Sequence, residues 1–190
     1  MGGDHFARWH AGCIALHAAD CWLVYLLCRR IGLARAGSVC ACLVFLVNGC
    51  AAEPVAWIDG SFDLIATGFV LLALILTCRY FDLERRSYLV AALAVTSVAV
   101  LCKESAFCLP ALVVCVALLR PEGTFGSRQR RAFVWVAVLC GVLFAYRWWA
   151  VGGLGGHGVR GTGFVDFVRY NLFERLDGLF LRQWAILFFP

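Results

Sequence analysis

Residues 62–78 read Phe-Asp-Leu-Ile-Ala-Thr-Gly-Phe-Val-Leu-Leu-Ala-Leu-Ile-Leu-Thr-Cys, an apolar run with one charged side chain, Asp63. A helix rises about 1.5 Å per residue, so a segment needs roughly 20 apolar residues to cross the hydrocarbon core of a bilayer. The run is slightly shorter than this, which a bilayer tolerates when flanking polar side chains extend toward the membrane surface. The stretch therefore predicts a transmembrane helix.

Similar apolar runs lie on both sides of this one. The six runs are Ala11–Cys28, Ala36–Cys50, Phe62–Cys78, Tyr88–Cys102, Ala106–Leu119 and Ala132–Trp149. Of the 190 residues, 63% are hydrophobic and 15% are charged, whereas a soluble domain is about 45–50% apolar and about 25% charged. This composition excludes a soluble globular protein and a disordered one. It predicts an all-α integral membrane bundle of about six transmembrane helices, forming a single membrane domain over residues 1–190.

Basic residues alternate between successive connections. Ten arginines follow the first, third and fifth runs: Arg29, Arg30, Arg35, Arg79, Arg85, Arg86, Arg120, Arg128, Arg130 and Arg131. Close to the runs, the connections on the opposite side hold few basic residues: Arg8, Lys103, Arg147 and Arg160. Because basic residues accumulate in cytoplasmic loops, the alternation predicts a non-cytoplasmic N-terminus. Residues 51–61, 103–105 and 150–175 should lie on that same side.

Two further signals of composition exclude whole classes of function. The net charge of +5 is not gathered into one patch, and no nucleic-acid-binding motif occurs, so we expect no nucleic-acid partner. The eleven cysteines are odd in number, lie mostly in apolar runs and lack the spacing of metal ligands. We interpret them as small buried apolar side chains.

The chain changes character after the sixth run. A glycine-rich stretch at 151–158 predicts a flexible outer loop. Phe164–Phe180 carries apolar residues at 165, 168, 172, 176 and 179 with charged residues between them, which predicts an amphipathic helix in the outer interface. Another apolar segment starts at 184 without room to cross. We therefore expect a part of a longer protein, lacking its N-terminal span and C-terminal region.

The first run carries polar residues where lipid makes them costly. At 100° per residue, His10, Cys13, His17 and Asp20 lie within an arc of about 80° on one helix face. Such a face should point into a helix bundle or a wet cavity. It either lines a ligand site or forms hydrogen bonds between helices that fix their packing. Two histidines seven positions apart supply too few ligands for a metal site.

Carboxylates gather in the connection before the central run. Residues 53–63 hold Glu53, Asp59 and Asp63 and no basic residue, although the chain is basic overall. Such carboxylates can act as a general base, bind a divalent ion or accept hydrogen bonds from sugar hydroxyls. The alternative is a solvated loop followed by a helix start, where acidic residues are favoured.

Cationic side chains lie at two other outer ends. Lys103 and Glu104 follow the fourth run, and Arg147 lies near the end of the sixth. A lysine at this depth can bind the phosphate of a lipid substrate, with Glu104 holding it in place; the alternative is a mutually neutralised pair. Arg147 either binds a lipid phosphate or extends to the head groups of membrane lipids.

These residues, in this order, resemble a known family. The pair His10 and His17, the segment Glu53-x-Val-Ala-Trp-Ile-x-Gly-x-x-Asp63, the pair Lys103-Glu104, and Arg147 before a glycine-rich stretch are similar to motifs of GT-C-type multi-span membrane glycosyltransferases. They are also similar to the membrane portion of the transmembrane-and-TPR protein O-mannosyltransferases. The sequence departs from their pattern at Asn48-Gly49, Pro54 and Ser61. The first outer loop of the family, with its acidic pair, would lie before Met1.

The resemblance implies an enzyme of the bacterial inner membrane. It would transfer a sugar from a polyprenyl-phosphate carrier to a glycan, lipid or protein acceptor on the non-cytoplasmic face. Glu53 and Asp63 would be the catalytic candidates. The substrate-binding candidates would be Lys103, Glu104, Arg147, His17, His10 and Asp20. A divalent metal cofactor stays open, although no ligand spacing indicates one.

Two other functions remain open. A transporter or flippase segment predicts inverted repeats and helices broken at mid-membrane, whereas most ionisable groups gather near one interface. A non-catalytic membrane scaffold predicts that Glu53, Asp63 and Lys103 tolerate substitution by alanine.

Overall fold

The architecture is given by a computed structural model that describes residues 3–48, 55, 60–123 and 125–151. Every regular element in these ranges is helical, as the sequence predicts. The elements are α1 (Gly3–Arg30), α2 (Arg35–Leu46), α3 (Ser61–Leu83), α4 (Arg86–Cys102), a 3₁₀ helix (Glu104–Cys108), α5 (Leu109–Leu119) and α6 (Ser127–Val151). The chain divides into two compact units, Met1–Phe144 and Ala145–Pro190.

Three of the helices are long and apolar enough to cross a membrane. They cover Ala7–Arg30, Ser61–Leu83 and Ser127–Ala150, with 24, 23 and 24 residues. At about 1.5 Å per residue, each is longer than the roughly 30 Å of a hydrocarbon core. These helices indicate a membrane protein.

The other three apolar helices are shorter. α2 has 12 residues and α4 has 17, so α2 extends only about 18 Å and α4 about 26 Å. Each of the six predicted runs thus contains a helix, but six complete crossings stay a prediction. The predicted amphipathic helix Phe164–Phe180 and the glycine-rich loop lie outside the described residues.

α3 is the central element of the first unit. It packs most extensively on α4 and also on α1, and α1 packs on α2. Small side chains permit the close approach of helices that lack a strong hydrophobic driving force in lipid. Ala73 of α3 and Ala99 of α4 are at most 1% exposed and belong to one apolar core with Tyr80 and Val113.

The arginine-rich connections meet at one end of the first unit, which we call the basic end (Arg30, Asp82, Glu84, Arg120 and Arg128). Asp82, near the end of α3, pairs with the guanidinium groups of Arg30, which ends α1, and Arg120, which follows α5. Glu84 pairs with Arg128 at the start of α6, with Nε and Oε2 3.0 Å apart. The first, third and fifth connections therefore lie together, as the charge alternation predicts.

Candidate functional site

The opposite end of the first unit brings two candidate residues into direct contact. The Lys103 Nζ lies 2.9 Å from the Asp63 Oδ2, although the residues are 40 positions apart. Their side chains are 34% and 35% exposed, so the pair is accessible from outside the protein. We call this end, with His10, Asp63 and Lys103, the polar end. It lies about 29 Å along α3 from the basic end, for the 19 residues between Asp63 and Asp82.

Local structure places the two charges of this pair. Asp63 lies in the first turn of α3, where the helix dipole favours an acidic side chain. Lys103 is extended, with φ −154° and ψ 140°, between the end of α4 and the 3₁₀ helix. This extended residue interrupts the helical backbone, so Lys103 lies between the end of α4 and the start of the 3₁₀ helix. An ion pair this exposed contributes only about 0–1 kcal/mol to stability, so a bound ligand could separate the two side chains at little energetic cost.

The two candidate histidines connect α1 to neighbouring segments. His10 Nδ1 lies 3.3 Å from the carbonyl oxygen of Val55, in the connection before α3. His17 Nε2 lies 3.3 Å from the carbonyl oxygen of Leu46, at the end of α2. The ring of His17 also contacts the ring of Phe45, with centroids 5.5 Å apart. His10 therefore contributes to the polar end, whereas His17 lies two turns deeper along α1.

Three of the four residues on the polar face of α1 are buried, as its 80° arc predicts, whereas His10 is only partly buried. Cys13 is 2% exposed, His17 is 8% exposed and Asp20 is 3% exposed. Asp20 faces Gly68 of α3, and a Cβ atom added at Gly68 would lie 2.7 Å from the Asp20 Oδ1. Asp20 therefore occupies space that only a glycine leaves free.

The remaining candidates are distributed along the chain. Glu104 opens the 3₁₀ helix directly after Lys103. The sequence suggests Glu104 as the residue that holds Lys103, whereas the salt bridge to Lys103 comes from Asp63. Arg147 lies near the end of α6, in the second unit, where the rings of Tyr146 and Trp149 are 6.3 Å apart. Glu53 lies outside the described residues.

Two contributors were not singled out from the sequence. Gly68 is one glycine in an apolar run, and its role appears only once Asp20 is seen opposite it. Asp82 organises the basic end, and its signal in the sequence is that it is one of two acidic residues, with Glu84, between Arg79 and Arg85. Over the described ranges, no three His, Cys, Asp or Glu side chains converge as a metal ion would require.

Comparison with known proteins adds no relative. No protein-family model matches the sequence, and no curated protein or solved structure matches it. The site is therefore interpreted from its own residues and geometry.

Proposed function

We propose that this chain is a membrane glycosyltransferase, or part of one, that transfers a sugar from a polyprenyl-phosphate carrier to a glycan, lipid or protein acceptor. The observation that carries the proposal is the accessible Asp63–Lys103 pair, with 2.9 Å between Nζ and Oδ2, at the end of an apolar helical bundle. A polyprenyl chain would lie in the membrane, and its phosphate would lie at the interface where such a helix end is found.

The chemistry of the pair suits this reaction. The Lys103 ammonium would form a charge-assisted hydrogen bond to the carrier phosphate and stabilise it as the leaving group. Asp63, released from Lys103, would accept a hydrogen bond from a sugar hydroxyl or the proton of the attacking acceptor hydroxyl. Glu53 is the second candidate for the proton acceptor. Glu104, Arg147, His10, His17 and Asp20 remain the proposed substrate-binding residues.

We further propose six crossings of a bacterial inner membrane, with the polar end on the non-cytoplasmic side. The arginines of the basic end support this orientation, because basic loops stay in the cytoplasm. α4, with 17 residues, and α2, with 12, are shorter than the hydrocarbon core, so the bilayer would have to thin locally for them to cross it.

A transfer assay tests the reaction. Asp63→Asn and Lys103→Met should each lower the rate of label transfer from a radiolabelled polyprenyl-phosphate sugar by about 10- to 100-fold, because each removes one charge-assisted contact worth roughly 1.5–3 kcal/mol. The chain is expressed in its full reading frame, and rates are compared at equal protein level in isolated membranes.

The matched control for this assay is Glu84→Gln, which removes a carboxylate from an ion pair at the basic end. It should transfer at the rate of the unaltered protein. Transfer that is unchanged in Asp63→Asn and Lys103→Met would remove both residues from the site. Absence of transfer with every donor tested would count against the enzyme itself.

Labelling of Lys103 tests the orientation, because this residue is the only lysine in the sequence. A membrane-impermeant amine reagent applied to intact cells should modify Lys103, as located by peptide mass mapping. In the Arg85→Lys variant, position 85 should react only after the membrane is permeabilised. Modification of position 85 in intact cells, with Lys103 protected, would reverse the proposed orientation.

A segment of a transporter is the second candidate function. It is favoured by the burial of His17 and Asp20 near the middle of α1, because ionisable groups at that depth commonly mark ion or proton pathways. Substitution of Asp20 would then abolish solute or ion flux in liposomes, while Lys103→Met would leave it unchanged.

A further inference from the structure

Two ionisable side chains are buried together at mid-membrane depth in α1. His17 is 8% exposed and Asp20 is 3% exposed, so both are more than nine-tenths buried. They are three positions apart, which places them as neighbours on one helix face. Within the spanning segment Ala7–Arg30, both lie close to the centre, about 15 Å or more from either end.

The hydrogen bond of His17 to Leu46 determines which nitrogen of its ring is left unpaired among the described residues. A carbonyl oxygen only accepts, so the contact with Leu46 requires a proton on Nε2. In the neutral ring, Nδ1 is then an acceptor. This Nδ1 is buried, and it has no hydrogen-bond partner among the residues that the structure describes.

Asp20 has a matching unused atom. Its Oδ2 is buried and also has no hydrogen-bond partner within the described ranges. Its Oδ1 lies against Gly68, which contributes no side chain. No Lys or Arg forms a salt bridge with Asp20 in the part of the chain that the structure covers, where the four salt bridges centre on Asp63, Asp82 and Glu84.

The other titratable groups near Asp20 do not supply a positive charge. Its own helix contributes Cys21, and Cys42 of α2 interacts with Cys21. The nearest titratable residue toward the start of α3 is Asp63, five positions before Gly68, and it is paired with Lys103. A carboxylate with no cation beside it is costly in an apolar interior, whereas the protonated acid is neutral and can donate a hydrogen bond.

We propose that Asp20 and His17 form a proton-binding site inside the membrane. The Asp20 carboxyl holds the proton, and the Nδ1 of His17 is the acceptor to which that proton passes. Transfer breaks the O–H bond of Asp20 and forms an N–H bond on His17, which leaves a carboxylate beside an imidazolium. The proposal does not rest on sugar transfer, because its test reads the protonation of Asp20 and not the transfer of a sugar.

Modification by dicyclohexylcarbodiimide tests the site, because this lipid-soluble reagent adds to protonated carboxyl groups. The unaltered chain is reconstituted in liposomes, treated over a series of pH values and analysed by peptide mass mapping. Asp20 should be modified, and its modification should fall as the pH rises. Asp63 and Asp82 are internal controls that should react less than Asp20, because each forms a salt bridge with a basic side chain.

Variants separate the two residues. Asp20→Asn should remove the adduct from its peptide, and His17→Phe, which keeps an aromatic ring beside Phe45, should shift the pH at which modification is half complete. An unshifted midpoint would exclude His17 from the site. If either variant fails to fold, the pH series on the unaltered chain still tests whether Asp20 is protonated.

Other outcomes overturn the proposal. An Asp20 that stays unmodified across the pH range, or that reacts no more than Asp63, is not protonated in the membrane. Protection by sodium ions at constant pH, compared with choline, would identify a metal-cation site instead of a proton site.

Discussion

Replacing Asp82 by Asn should lower the free energy of unfolding by about 3 kcal/mol, because it leaves a largely buried guanidinium without its counter-charge. The side chain of Arg120 is 9% exposed, and Asp82 pairs with it directly. Arg120 also forms a hydrogen bond to the Cys78 carbonyl oxygen, at 3.4 Å, and its guanidinium lies 5.9 Å from the ring of Phe81. Glu122 attracts Arg120 more weakly than Asp82 does and forms no salt bridge with it among the described residues.

Arg120 cannot escape this cost by losing its proton. Burial lowers the pKa of the guanidinium, but the hydrogen bond and charge of Asp82 more than offset this, so the pKa lies above its usual value. Even without Asp82, an arginine keeps its charge at any ordinary pH. The variant protein must therefore expose the guanidinium or keep a poorly compensated charge.

The measurement is denaturant or detergent unfolding of the purified chain, with two comparisons. Glu84→Gln breaks the ion pair between Glu84 and Arg128. Their side chains are 48% and 45% exposed, so the free energy of unfolding should fall by no more than about 1 kcal/mol. Combining Asp82→Asn with Arg120→Met should recover most of the lost stability, because an apolar replacement of both partners is often neutral. Equal losses in Asp82→Asn and Glu84→Gln would contradict the burial of Arg120.

The sequence predicts which segments are helical more accurately than it predicts the residues at which each helix begins and ends. The first apolar run begins at Ala11, whereas α1 begins at Gly3, because polar residues such as Arg8 and His10 continue a helix beyond the lipid. Conversely, α2 ends at Leu46, short of the predicted Cys50. Hydropathy indicates which residues are favourable in lipid. It does not indicate where a helix ends, because that depends on the local backbone geometry and hydrogen bonds.

The site could be predicted only as far as its general location. Charge alternation placed Asp63 and Lys103 on one side, which agrees with their contact. The sequence favoured Glu104 as the partner of Lys103, because neighbours in the chain are visible without tertiary structure. A pair separated by 40 positions depends on how α3 packs against α4, which no local pattern encodes.

The second large effect concerns Gly68. A Gly→Ala substitution inside a helix normally stabilises it by about 0.5–1 kcal/mol. At position 68 we expect the opposite, a loss of about 1–3 kcal/mol, because the new Cβ would lie 2.7 Å from the Asp20 Oδ1. Asp20 is 3% exposed, so the side chains around it leave its carboxylate little room to turn away from the new Cβ.

Two comparisons isolate this contact in the same unfolding measurement. Gly141→Ala, in α6, should show the normal gain, because no atom lies within 4 Å of its added Cβ. In an Asp20→Ala background, Gly68→Ala should also become stabilising, because the oxygen that it meets is gone. A Gly68→Ala variant as stable as Gly141→Ala in the unaltered background would place Asp20 elsewhere. If Gly68→Ala lowers stability with Asp at position 20 and raises it with Ala there, the contact with Asp20 is the cause. The helix propensities of Gly and Ala at position 68 are the same in both backgrounds and cannot reverse the effect.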